Sequence, residues 1–405
     1  MKVSKLYIYP IKSLRPTPLT VASICSEGIK YDRRYMLMKV EPGKDGAEPT
    51  LKNMHIPHFP EMGLFQTAVE FPEDNDDTGK IIVTYNPPFT QEIDDPRPHE
   101  IKQLEMPMRI RRAEVKTMKE IKVVMHQSST MGYVMEEKYN NWFSECFGFP
   151  VILAYLGQNS REVLGTLAPE KRNNVPWWTL WYGALRAIRN VPILIPLCWI
   201  FVPILALQYF LNKVPREKLT TPHVLFGIFI IVVGWLRTTH AVFAKLRETR
   251  ITFADCASLL VISQTSVDNV SDRFESETEE VDHTKFRPNI VVSDAELPFE
   301  EDFWTELKVG SKGFRLLLTG NCVRCQSLNV DYQTGKMGDG ESGTVLKKLM
   351  KDRRVDRGAK FSPVFGRYGF LHWTHREGMI HVGDEIEVVA RTKERTITDW
   401  PGLTN

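Results

Sequence analysis

Asn321-Cys322-Val323-Arg324-Cys325-Gln326-Ser327-Leu328-Asn329-Val330-Asp331 follows an apolar run, Phe314-Arg315-Leu316-Leu317-Leu318, and is closed by the turn pair Thr334-Gly335. The run reads as a strand, so two thiols and a guanidinium come together near a strand end. Taken alone, Cys322-x-x-Cys325 is open to several readings. Zinc needs two more ligands at comparable spacing, and neither a second Cys pair nor a nearby His supplies them. A thioredoxin-like pair follows the first strand of an αβ unit, whereas this one comes late, within β structure. Two small residues packed near a strand end is a third reading. A soft thiolate beside a cation is also what an anionic metal cofactor requires.

Outward from this stretch the chain reads mostly as short strands. Leu6, Ile8 and Pro10 alternate with Tyr7 and Tyr9; Tyr35-Met36-Leu37-Met38 is another apolar run. Leu64 to Phe71, the Asp74–Gly79 turn and Lys80 to Tyr85 predict a hairpin. Strands at this spacing from Val3 to about Arg112 predict a small barrel or sandwich. A helix is expected over roughly Thr130 to Phe147, with Met135, Tyr139, Trp142, Phe143, Cys146 and Phe147 at helical spacing and Gly148 as its stop. That stripe reads as core. Further on, Leu259 to Ile262 predicts a buried strand, Ser263 to Ser266 a helix cap, Phe286 to Val292 a strand with a polar entrance, and Ile380 to Val389 a turn and closing strand.

A chain of 405 residues accommodates two or three domains. A net charge of +2 gives no electrostatic case for nucleic acid. The six cysteines, at 25, 146, 198, 256, 322 and 325, are mostly far apart, which favours a reducing compartment over a disulfide framework. Lys2 to Pro10 has neither the apolar core nor the Arg/Ser-rich character of a cleaved leader.

Between the two strand-rich regions the composition changes. Val191 to Leu211 carries no charge over 21 residues, the length a membrane span needs, although Pro192, Pro196 and Pro203 interrupt it. A shorter apolar run, Val224 to Leu236, can be extended to a span over about 222–243. Trp177, Trp178, Trp181, Trp199 and Trp235 suit interfacial anchoring. The expectation is a transmembrane helical hairpin inserted in the chain, with a buried hairpin of a soluble domain as the alternative.

Three polar clusters stand beside strands: Pro10-Ile11-Lys12-Ser13, Asp32-Arg33-Arg34-Tyr35, and Arg287 with Asn289. Any one alone reads as solvated surface charge; together, Lys, Arg, Ser and Asn are the side chains of a phosphate cradle.

Tyr9-Pro10-Ile11-Lys12-Ser13 and Asp32-Arg33 resemble the N-terminal β-barrel domain that accompanies MOSC domains. Phe286-Arg287-Pro288-Asn289, Arg324-Cys325, Val330-Asp331-x-x-Thr334-Gly335 and Ser362-Pro363-Val364-Phe365-Gly366 resemble the MOSC domain itself. In character these segments are similar to the amidoxime-reducing members of that family. The resemblance implies a mixed α+β, β-rich fold: an N-terminal β-barrel-like domain over 1–160, the membrane-associated insert over 161–250, and a MOSC β-barrel catalytic domain over 251–405. It also implies a molybdenum cofactor (Mo-molybdopterin). Cys325 would be the metal ligand and catalytic residue, with Lys12, Ser13, Arg33, Arg287, Asn289 and Arg324 holding the pterin and its phosphate and Ser263 and Thr265 near the same pocket. Cys322 is expected to be a packing neighbour, and Val323 stands where the family often has a small polar residue.

The implied activity is reduction of N-hydroxylated substrates, amidoximes or hydroxylamines, by oxygen-atom transfer to molybdenum. The electrons in relatives come from cytochrome b5 and NADH-cytochrome b5 reductase. An alternative is a sulfur carrier in cofactor maturation with a persulfide on Cys325; pyridoxal phosphate, sometimes attached to the family, finds no Schiff-base lysine here. If Lys12 and Arg33 share a cofactor with Cys325, the insert crosses a membrane an even number of times, as a two-span hairpin or a re-entrant pair. Flanking Lys171, Arg172, Arg186, Arg189, Arg237, Lys245, Arg247 and Arg250 then predict catalytic domains facing the cytosol, on a mitochondrial outer or endoplasmic reticulum membrane.

Overall fold

The computed structural model describes residues 1–43, 47–73, 77–89, 95–171, 249–275 and 280–402, with isolated positions between 208 and 229. Its contacts divide the chain into one unit formed by Met1–Lys171 with Thr249–Asn405 and a second formed by Arg172–Glu248.

The largest sheet of the first unit has eight strands. In chain order they are β1 (Lys2–Ile8), β2 (Thr17–Leu19), β3 (Leu259–Ser263), β4 (Ile290–Ser293), β5 (Trp304–Val309), β6 (Phe314–Val323), β7 (Val364–Leu371) and β8 (Ile386–Arg391). Their spatial order is β2-β1-β4-β3-β7-β6-β5-β8. Only β3 and β4 pair in parallel; the other neighbours are antiparallel. The start of β1 meets the turn before β8: the Val3 amide donates to Asp384 O and the Ile386 amide to Met1 O, each at 2.9 Å. The sheet is therefore a nearly closed barrel, which leaves little unpaired edge.

Alternation explains why both faces of this sheet are covered. Leu6, Ile8, Leu259, Val261, Ile290, Val292, Leu316 and Leu318 form the core on one face. Tyr7, Tyr9, Leu260, Ile262, Val291 and Cys322 pack on the other with Phe286 and Phe365. The register slips between Val3 and Lys5, and this irregularity lets Val3 join Leu6 on the same face despite their odd spacing.

A five-stranded sheet runs Glu120–Met125, Ser128–Val134, Val151–Tyr155, Tyr35–Glu41, Thr50–Asn53 in spatial order. A three-stranded one joins Phe65–Glu70, Lys80–Tyr85 and Lys102–Pro107. The helix Glu137–Phe147 packs Phe143 and Phe147 against Phe65, whose ring lies 4.7 Å from that of Phe147.

The hairpin over 65–85 and the β-rich character agree with the sequence reading. Three expectations are corrected. The helix begins at Glu137 rather than near Thr130, because His126 and Gln127 both have positive φ, 48° and 62°, and turn the chain back as a hairpin. Such a two-residue turn matches the strand twist and commits Ser128–Val134 to pairing. The first strand, grouped by sequence with its neighbours, pairs with β2 on one edge and with the distant β4 on the other, Leu6 opposite Ile290.

Third, among the described residues no helix is long and apolar enough to cross a membrane. The inserted transmembrane hairpin is therefore not supported, and the membrane localisation and cytosol-facing orientation built on it fall with it. Apart from isolated positions, the runs over 191–211 and 222–243 on which it was read lie outside the described residues. Apolar length alone carried that expectation, against three prolines that remove helical amide donors from the first run.

Candidate functional site

The chain leaves β1 at Ile8 and enters a tight turn. The Lys12 amide donates to Tyr35 O at 2.7 Å, the Tyr35 amide to Pro10 O at 3.2 Å, and the Arg33 amide to Tyr9 O at 2.7 Å. These bonds bring the first two polar clusters together. Pairing of β1 with β4 adds the third, since the Tyr7 amide donates to Asn289 O at 3.0 Å. Ser13, Arg33 and Arg287 all adopt positive φ, 71°, 50° and 58°. For residues with a Cβ this costs energy, and three such residues in one place mark a preorganised site.

Tyr9 is the centre of the cluster. Its ring is buried, with the Arg33 guanidinium 4.7 Å and the Arg287 guanidinium 4.4 Å from its centroid. Burial holds its hydroxyl well above the ordinary phenol range, and that hydroxyl has no hydrogen-bond partner among the described residues. Asp32, fully buried, accepts from the Tyr9 amide at 2.7 Å and pairs with Arg33. Arg287 donates through Nη1 to Leu14 O at 3.0 Å, while its buried Nη2 makes no well-formed hydrogen bond. Burial lowers the pKa of Arg287, so its charge is held in a desolvated position without a carboxylate partner among the described residues.

Lys12 is buried and pairs with Asp255, a half-exposed carboxylate that also faces His126 Nε2 at 3.4 Å. Burial lowers the Lys12 pKa, with Asp255 opposing the shift. Burial also works against the Asp255 charge, yet Lys12 and His126 hold this carboxyl well below its usual range. Arg161, fully buried, fixes the same loop by donating to Ala254 O at 2.6 Å and Met125 O at 2.8 Å.

Cys325 lies just beyond β6 and is exposed. Its extended backbone (φ −129°, ψ −175°) starts the 3-10 turn Gln326–Asn329, and its Sγ is 3.4 Å from Ser327 Oγ. The preceding Arg324 is buried and spends its donors on main-chain carbonyls: Nε and Nη2 to Phe365 O at 3.0 and 2.8 Å, Nη1 to Phe286 O at 2.8 Å. It straps together the stacked rings of Phe286 and Phe365, 3.9 Å apart. Cys322 is buried in the apolar layer, and burial raises its thiol pKa. Its predicted role as a packing neighbour matches this placement.

Lys12, Ser13, Arg33, Arg287 and Asn289 are thus gathered around Tyr9, and the Arg324–Phe286 bond ties Cys325 to the residue before Arg287. Asn289 and Arg324 act chiefly on the protein's own main chain. Asn289 accepts from the Leu260 amide at 3.1 Å and donates to Tyr7 O at 3.3 Å, cross-linking β1 and β3. Arg324 supplies position and charge. Ser263 and Thr265 are not brought into the cluster. Ser263 is three residues along β3 from Leu260, which Asn289 holds, a separation of about 10 Å. Thr265 donates to Ala295 O at 3.0 Å. Sequence reasoning missed Tyr9 as the platform, and Asp255 and His126 as charges facing Lys12, because each depends on contacts with distant chain.

The donor set fits an anionic, thiolate-ligated metal cofactor. Arg287 Nη2 and the Tyr9 hydroxyl are buried polar atoms that make no well-formed hydrogen bond among the described residues, the cluster carries excess positive charge, and Cys325 offers an accessible soft ligand.

Residues 1–150 match the MOSC N-terminal beta barrel domain, and residues 248–387 match the MOSC domain. The chain is similar to the human mitochondrial amidoxime-reducing component 1, 32% identical over 148 residues, which cover 36% of this chain and 40% of that relative. It is similar to the bovine mitochondrial amidoxime reducing component 2, 31% identical over 152 residues, 37% of this chain and 43% of the relative. It is also 34% identical over 146 residues to the Arabidopsis thaliana molybdenum cofactor sulfurase, covering 34% of this chain and 17% of that protein. The matches therefore span less than half the length of these relatives.

Proposed function

For this chain, which carries a MOSC N-terminal beta barrel domain and a MOSC domain, we propose a molybdenum-cofactor oxidoreductase that reduces N-hydroxylated compounds. The observation that supports it most is the accessible Cys325 thiol, held by the Arg324–Phe286 bond beside a cluster of buried cations that includes an uncompensated Arg287. Cys325 would ligate the metal as its thiolate. Lys12, Ser13, Arg33 and Arg287 would hold the pterin and its phosphate by charge and hydrogen bonding. When bound, the metal supplies the oxygen-atom transfer chemistry that converts an amidoxime to an amidine. The protein's own residues would orient the cofactor, and the Asp255 carboxylate, paired with Lys12 and facing His126, stands at the edge of the site. Two electrons are required per turnover, and the resemblance points to cytochrome b5 and its reductase as donors.

The test is conversion of a small aromatic amidoxime by the full chain, produced in cells that make molybdopterin and supplied with a chemical electron donor. Amidine formation that disappears with Cys325→Ala supports the reading; a wild-type protein that carries molybdenum yet forms no amidine counts against it. The sulfur-carrier alternative draws on the likeness to the Arabidopsis thaliana sulfurase and on the same exposed thiol. A cyanide-releasable sulfur atom on Cys325 without bound molybdenum would favour that alternative.

A further inference from the structure

The cationic cluster continues past Tyr9. Tyr332, on the segment after Val330–Asp331, is buried, and its hydroxyl makes no well-formed hydrogen bond but faces the Arg287 guanidinium. The Arg15 guanidinium lies 5.1 Å and the Lys285 ammonium 5.8 Å from its ring centroid. Arg287 thus lies against the ring of Tyr9 and also acts on the hydroxyl of Tyr332.

None of Arg15, Lys285 and Arg287 has a carboxylate in ion-pair contact among the described residues. The acidic groups nearest Lys285 are Asp282 and Asp331, and both are engaged in turns. Asp282 Oδ1 accepts from the Thr284 amide at 2.9 Å and its hydroxyl at 2.6 Å; Asp331 Oδ1 accepts from the Gln333 amide at 2.8 Å. Lys285 is itself buried, so its charge loses water while, among the described residues, no carboxylate reaches ion-pair distance. The position of Tyr332 is fixed: a Cβ on Gly63 would lie 2.6 Å from its ring, so only glycine lets the backbone approach there.

We propose that Arg15, Lys285 and Arg287, gathered around Tyr332, form a second phosphate position next to the one at Tyr9, so that the chain takes a ligand bearing a diphosphate. The inference deepens the cofactor reading, on which it rests for the first position only. A diphosphate has two sources, a cofactor extended by a nucleotide or a separate nucleoside diphosphate. Arg287 is shared by the two positions, as a ligand with adjacent phosphates requires.

The experiment is calorimetric titration of the purified full chain with inorganic pyrophosphate and, separately, inorganic phosphate. The expected result is at least tenfold tighter binding of pyrophosphate, reduced to parity in Arg15→Gln/Lys285→Gln and retained in Arg15→Lys/Lys285→Arg. Equal affinity in the wild type, absence of pyrophosphate binding, or a preference that survives the glutamine pair overturns the proposal. The conservative pair, checked for an unchanged melting temperature, separates lost binding from lost folding. Nucleotide released by acid in proportion to molybdenum assigns the diphosphate to the cofactor; none released assigns it to a separate ligand. Molybdenum content reports the first position independently, so a chain lacking molybdenum but preferring pyrophosphate would sink the cofactor reading and leave the second position standing.

Discussion

Arg324 donates through Nη1 to Phe286 O at 2.8 Å, and this bond joins the segment that carries Cys325 to the turn that carries Arg287. Two more bonds to Phe365 O complete the strap. Arg324→Lys keeps the charge but cannot reproduce the planar fork. It is expected to cost about 2–4 kcal/mol, since buried carbonyls lose charge-assisted partners. Urea denaturation checks this; a midpoint shift worth less than about 0.5 kcal/mol, the usual range for a surface change, would show that the strap is dispensable.

Gly366 follows Phe365 and has φ +79°; a Cβ there would meet Ile262 Cγ2 at 2.7 Å and Val261 O at 2.9 Å. Gly366→Ala combines a left-handed backbone with overpacking against β3, and about 2–4 kcal/mol is expected to be lost. Thermal unfolding measures it, and an unchanged melting temperature contradicts the prediction.

Glu301 is fully buried, accepts from Ser266 Oγ at 2.8 Å, and leaves Oε1 without a partner among the described residues. Burial pushes its carboxyl up to about 7. The fold therefore favours the protonated acid: this contribution is complete below the ordinary glutamate pKa and is lost as pH rises through about 7. The loss amounts to about 3 kcal/mol at most. Glu301→Gln is expected to flatten the stability profile between pH 5 and 8 and to exceed the wild type at the alkaline end. Parallel profiles for the two proteins would place the Glu301 titration elsewhere.

Asp255→Asn removes the carboxylate paired with Lys12 and is expected to lower the Lys12 pKa further, because only burial then acts strongly on it. The cost at neutral pH is about 1–2 kcal/mol, between the exposed and buried limits for an ion pair. A lysine with a lowered pKa costs stability while charged, and the cost is relieved as pH rises toward the ordinary value. Asp255, held below its usual range, loses its contribution as pH falls through that depressed value. The wild type should therefore lead the variant most near neutrality, with the gap closing at both ends. Stability measured from pH 3 to 10 decides; a gap that stays constant refutes the pairing.

How much of this could be read from the residues follows from what each feature depends on. The 65–85 hairpin and the strand before Cys322 were legible because period-2 alternation and turn residues are local signals. The membership of β1 in the large barrel was not, since Leu6 and Ile290 are 284 positions apart and alternation does not name a partner strand. Lys12, Arg33 and Arg287 were legible as a cation set through motif likeness. That Asn289 and Arg324 serve main-chain carbonyls and amides depends on which groups the fold leaves unpaired, which no local pattern encodes. The placement of Ser263 was not legible for a similar reason: at the far end of β3 it follows the parity of Leu259 and Val261, away from the Tyr9 cluster.

The central claim is that Cys325, and not Cys322, holds molybdenum. The direct measurement is metal content per chain in the wild type, Cys325→Ala and Cys322→Ala, all purified from cells that make molybdopterin. We predict molybdenum close to stoichiometric in the wild type and in Cys322→Ala, and a loss of at least tenfold in Cys325→Ala. Molybdenum retained in Cys325→Ala would contradict the account.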